Sequence, residues 1–179
     1  MSTVTEKYSA PTQDEYNEYY HRYVSLARAD NFLGTFASQP HILHTILGNL
    51  SAEEASKLHE PYTWNLKQVV GHLIDCERIF STRLLRIGVG DETPLPGMNQ
   101  DIYVANLNYD LVTMQELLDE FAHLRGANVL LAKRLTTESL ARRGIASDHP
   151  VSAKANLFIM SGHVEYHLAI IKKRLGLEA

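Results

Sequence analysis

The chain has 179 residues, 45% of them hydrophobic and 21% charged, which suits one domain with a full core. Acidic residues outnumber basic ones by 21 to 17 and no Lys/Arg run exceeds three residues, which argues against a nucleic-acid-binding surface. No apolar run approaches the roughly 18 residues needed to cross a bilayer, and a single cysteine, Cys76, excludes an intramolecular disulfide. The N-terminal residues lack the charged and apolar regions of a secretory signal, so a cytoplasmic protein is expected.

Residues 1–29 read as a Tyr-rich arm and 30–179 as the folded domain. The arm is expected to be mobile or to lie on the surface up to about Gln13. Tyr16, Tyr19, Tyr20 and Tyr23 then recur at a spacing that allows a short helix with all four on one side, capping a core. A first long helix is predicted over 31–50, bent near Pro40, and carries His41 and His44. Ser51-Ala-Glu-Glu is a capping box that opens a short helix.

A second long helix is predicted over 65–88, with Thr63 or Asn65 as its N-cap. Leu66, Val69, Leu73, Cys76, Phe80, Leu84 and Ile87 form a bundle-type seam along it, with His72 on the flank. Between Asp75 and Glu77, Cys76 is expected to have a raised thiol pKa and to serve packing. Gly, Pro and Asp then dominate a stretch that reads as loop to about Asn108, long for a bundle connection. Met98, Ile102 and Tyr103 suggest that it packs over the end of the bundle.

A third helix is predicted over 111–135, on Met114, Leu117, Phe121, Leu124, Leu131 and Leu135. Residues 142–150 read as loop. The fourth helix is predicted over 152–174, with Ser152 as N-cap and Gly176 as terminator. With no β pattern of any length, the fold class is all-α, a four-helix bundle without a sheet.

His163 and His167 lie four apart on the fourth helix, so their imidazoles can reach one spot. Joined by His72, they would make a three-imidazole site with positions left for water or substrate. His41 and His44 are the rival pair. Helical zinc peptidases carry Glu directly after the first His, where this chain has Val164, which disfavours that chemistry. Asp75 and Glu165 are candidate partners for the imidazoles' second nitrogens. Gln100 and Asp101 could reach the open side of the site. Arg78, Arg83 and Arg86 could orient an anionic substrate, although arginines on a bundle helix more often face outward.

The segments Trp64-Asn-Leu-Lys-Gln-Val-Val-Gly-His-Leu-Ile-Asp-Cys-Glu-Arg-Ile-Phe and Gly162-His-Val-Glu-Tyr-His-Leu-Ala-Ile-Ile are similar to the DinB/YfiT-like superfamily. That group contains bacterial metal-dependent hydrolases and thiol S-transferases, and the similarity runs from about residue 30 to 175. It implies up-down-down-up connectivity and a divalent metal held by His72, His163 and His167. It also implies zinc or nickel and a homodimer acting on a small molecule, while imidazole ligands suit manganese or iron next. Many relatives have His where this chain has Tyr166. Three functions follow: a metal-dependent hydrolase, a low-molecular-weight thiol S-transferase, or a non-catalytic, stress-associated metal-binding dimer. A carboxylate near the open side would favour the first, a basic pocket the second and a sealed site the third.

Overall fold

The computed structural model describes residues 7–177. Four long helices form the bundle: α2 (Phe32–Leu47), α4 (Leu66–Val89), α6 (Met114–Arg134) and α8 (Ala153–Arg174). Short helices flank them: α1 (His21–Val24), α3 (Ala52–Ser56), α5 (Gln100–Asn106) and α7 (Thr137–Ala141). The starts of the long helices are written locally. Asn65 caps α4 in a reciprocal box with Gln68, Thr113 caps α6 with Glu116, and Ser152 caps α8 by accepting from the Ala155 N–H. Gly90, in the left-handed region at φ 87°, ends α4. The helix α2 runs on through Pro40.

Side-chain pairings give the direction of each helix. Glu77 pairs with Arg125 and Ser81 with Asn128, so α4 and α6 rise together and are parallel. Phe32 stacks on Phe158 and Gln39 bonds Ser161, so α2 and α8 are also parallel. His72 faces His163 whereas Phe80 meets Asn156, so α4 and α8 are antiparallel. The connectivity is up-down-down-up.

Parallel α4 and α6 explain the long connection between them. The chain leaves α4 at one end of the bundle and must start α6 near the other, about 36 Å away for a 24-residue helix. The crossover is not plain loop, as expected from sequence, but contains α5 and a 3-10 turn at Tyr109–Leu111. Of the three residues expected to pack, only Met98 does. Ile102 and Tyr103 are exposed, while Leu95 and Val104 are buried and Met98 is half-buried. Tyr109 closes over α4 where Gly71 makes room, since a Cβ there would lie 2.0 Å from the Tyr109 ring.

Residues 142–150 also depart from expectation. β1 (Arg143–Ala146) and β2 (His149–Ser152) form an antiparallel hairpin in a fold predicted to have no strand. Its turn residues, Ser147 and Asp148, have φ of 52° and 64°, the positive pair that a tight hairpin requires. With four residues per strand and Gly144 and Pro150 among them, the segment carries no readable alternation. Leu95 of the crossover bonds the hairpin's edge through Ile145 O and the Ser147 N–H.

The N-terminal segment is not a surface arm over its described part. Tyr8 is buried, stacks on Phe32 and donates to Ala132 O at 3.1 Å. Tyr16 is buried too, and Tyr23 packs against α8. Gly162 allows that approach, because a Cβ there would meet Tyr23 O at 1.7 Å.

At the centre, Arg125 is fully buried and forks onto Glu77 with two bonds of 2.8 Å. Asn128 donates to the same carboxylate, while Arg125 also bonds Gln39 Oε1. Gln39 passes the network to Ser161 O and Glu165. Replacing Arg125 with Met strands the Glu77 charge among apolar groups and should cost about 3–5 kcal/mol in urea denaturation. The double replacement Glu77→Leu/Arg125→Met should recover most of that loss. A cost below about 1 kcal/mol for the single change would contradict the central role of this pair.

Candidate metal centre

His72 projects from α4, and His163 and His167 from α8, into the interior near the crossover. They are 2%, 5% and 9% exposed. His163 Nε2 lies 3.1 Å from His72 Nε2 and 3.1 Å from His167 Nε2. One donor atom from each ring falls within 4.8 Å of the others, and no other such group occurs among the described residues. Two nitrogens bound at about 2.1 Å to one tetrahedral ion stand about 3.4 Å apart, so the observed spacing suits a single divalent ion. The rings meet edge to face, with centroids 4.6–5.0 Å apart, so their nitrogens converge rather than stack.

Burial is the main cause of the rings' electrostatics. It lowers the His72 pKa to about 4, against a small opposing effect of the Asp101 charge. Burial, then the neighbouring His72, lowers His167 to about 3. His163 is driven well below the ordinary value by burial first, then by His167, His72 and Arg125. All three rings are therefore neutral at pH 7, the form that binds metal.

Aromatic rings hold the imidazoles. Trp64 lies 5.1 Å from His72, Tyr23 5.2 Å from His163 and Tyr166 5.4 Å from His167, centroid to centroid. Cys76 Sγ sits 3.7 Å from the His72 ring nitrogens, and burial pushes its thiol pKa far up, consistent with a packing role. The proposed carboxylate partners are engaged elsewhere. Asp75 accepts from the Tyr109 hydroxyl at 2.8 Å and Glu165 from Gln39 at 2.7 Å, so neither orients an imidazole. His41 and His44 are exposed on α2, apart from the cluster.

Two cavities reach the imidazoles. An inner one of about 110 Å³ is bordered by His72, His163, Cys76, Met98 and Arg83. An outer cleft of about 440 Å³ is bordered by His167, Trp64, Tyr166, Arg22 and Arg174. Tyr19, Tyr23 and Gln100 line both, and Asp101 is the only carboxylate among the residues lining either. Sequence reasoning found the histidines and Asp101. It read Tyr23 only as a cap on the core, and it missed its neighbour Arg22 and Arg174 in the last turn of α8.

Comparison with known proteins agrees with this architecture. A curated protein of Oceanobacillus iheyensis, assigned by its name only provisionally to metal-dependent hydrolases, is 28% identical over 135 residues, covering 73% of this chain and 75% of its own. YfiT of Bacillus subtilis, described as a probable metal-dependent hydrolase with an unusual four-helix bundle topology, superposes with a TM-score of 0.71 at 17% identity. That match covers 97% of this chain and 99% of YfiT, and shows the shared fold. The profile of the DinB superfamily matches residues 35–171, so the chain belongs to that superfamily.

Proposed function

We propose that the protein is a metal-dependent hydrolase in which His72, His163 and His167 hold one divalent ion, zinc or nickel first and manganese or iron next. The observation that carries this reading is the convergence of three buried, neutral imidazoles at the junction of two cavities. Three nitrogen ligands would leave a position open, and an ion so held would lower the pKa of a water there towards about 7. The protein supplies the rest. Trp64, Tyr23 and Tyr166 restrain the rings, and the crossover limits access of bulk water. Asp101 Oδ, at the mouth of the outer cleft, can accept a proton from a water there. The name of the Oceanobacillus relative supports hydrolysis. Arg22, Arg83 and Arg174 along the cavity walls support thiol transfer as the second reading. Open cavities disfavour a sealed, purely structural metal site. The reading includes a small-molecule substrate, a cytoplasmic location and a two-fold homodimer, the commonest closed assembly.

Elemental analysis should find one metal per chain in the wild type and none after His163→Ala, because two ligands rarely hold a divalent ion against water. His41→Ala and His44→Ala should keep the full complement. Loss of metal from either of these, or its retention in His163→Ala, would overturn the assignment.

The rings also set a pH dependence. Their pKa values are lower folded than unfolded, so the unfolded chain takes up protons first as pH falls below about 6.5. Stability from burying neutral rings is full above that value and is lost as pH falls through about 4 for His72 and about 3 for His167. Denaturation midpoints of the metal-free protein should therefore drop already between about pH 6.5 and 5, before most carboxylates titrate. Metal occupancy should persist to about pH 5 rather than failing at about 6.5, the point expected for free imidazoles. A flat midpoint across that window would show that the rings are not buried neutral.

If Asp101 accepts the proton, Asp101→Asn should lower kcat on a chromogenic ester by about 100-fold with metal content unchanged. An unaltered kcat would remove it from the reaction.

A further inference from the structure

The three arginines of α4 have different fates. Arg78 pairs with Glu120 at 2.8 Å on the surface, and Arg86 pairs with Asp91 at 2.6 Å. Arg83 is only 5% exposed, yet no carboxylate among the described residues pairs with it. One nitrogen, Nη2, donates to Pro96 O at 2.8 Å and to Ser147 Oγ at 2.9 Å, both uncharged, and Nε has no hydrogen-bond partner. A buried guanidinium ordinarily needs a counter-charge.

Its position in the inner cavity supplies the context. Arg83 follows His72 by eleven residues, three helical turns, so both lie on one face with Cα atoms about 16 Å apart. Side chains on a helix lean towards its N-terminus, which carries the guanidinium back towards His72. Phe80 lies between, its ring 5.7 Å from Arg83 Cζ and 5.9 Å from the His163 ring. No acidic residue lines this cavity. At about 110 Å³ and open to solvent on one side, it suits a carboxylate on a short chain.

We propose that Arg83 is the anion-recognition residue of the site, binding a substrate carboxylate at the cavity end remote from the imidazoles. The substrate class is then a small carboxylic acid whose reacting group lies towards His72 and His163. This deepens the proposed hydrolase reading and rests on it for the reacting end. The contacts of Nη2 with Pro96 and Ser147 tie the crossover and the hairpin turn to α4 and take both Nη2 protons, so Nη1 is the nitrogen left to meet the ligand carboxylate.

The test titrates metal-free protein with valerate and its uncharged isostere valeramide, followed by ligand-observed NMR. Zinc-loaded protein is titrated with glutarate and valerate. Valerate should bind metal-free wild type at least about tenfold more tightly than valeramide, and Arg83→Met should erase the difference. Zinc-loaded wild type should favour glutarate over valerate. Arg83→Met should abolish that preference while keeping zinc content and valerate affinity, and Arg83→Lys should restore part of it. Equal binding of valerate and valeramide, or a preference that survives Arg83→Met, overturns the proposal. So does an Arg83→Met protein that loses both ligands together with its cooperative melt, which would make Arg83 a clamp alone. Failure to bind zinc would sink the three-histidine reading and leave the metal-free result to decide the role of Arg83.

Discussion

Arg125 has no contact with solvent, so every donor of its guanidinium must be satisfied inside the protein or the bundle does not close. The partners come from the other three long helices. Glu77 belongs to α4, Gln39 and Phe36 O belong to α2, and Met160 O belongs to α8, while Asn128, one turn along α6, donates to the Glu77 carboxylate. Its charge also rests over the Phe36 ring at 3.8 Å. Apolar stripes tolerate sliding, whereas a forked ion pair with directional bonds does not. This hub fixes the register that brings His72, five residues before Glu77, level with His163, two residues after Ser161.

Parallel α4 and α6 are the second constraint. They force the chain to run the length of the bundle between them, and that crossover becomes a wall of the site. Met98, Gln100 and Asp101 reach the cavities from it, and Leu95 joins it to the hairpin whose turn residue Ser147 bonds Arg83. The N-terminal tyrosines close the opposite side, with Tyr23 edge-on to both His163 and Tyr166. Charge is distributed unevenly as a result. Arginines line the inner and outer walls, and the one lining carboxylate stands at the outer mouth.

Much of the fold was legible because it is local. The capping box at Ser51 and the caps at Asn65 and Ser152 obey rules that span four residues, and the helical seams repeat every three or four. The buried polar hub also left a trace. Glu77 falls four residues after Leu73, and Arg125 four after Phe121, so each charge lies on the flank of an apolar stripe. The hairpin at Arg143–Ser152 left none, because strands of four residues are too short for alternation to stand out.

The sequence by itself determined where the four long helices lie, which face of each is apolar, and that three histidines sit on flanks able to meet. Only the tertiary structure decided that they do meet, since convergence depends on helix direction and register, which no periodicity encodes. It also decided the fate of like residues. Arg78, Arg83 and Arg86 lie within nine residues of one helix, yet one faces solvent, one faces Asp91 and one is buried at a cavity. Asp75 and Glu165, beside the histidines in sequence, turn to Tyr109 and Gln39 instead. The physical reason is that burial and pairing belong to the space between helices. Sequence spacing fixes angles within one helix only.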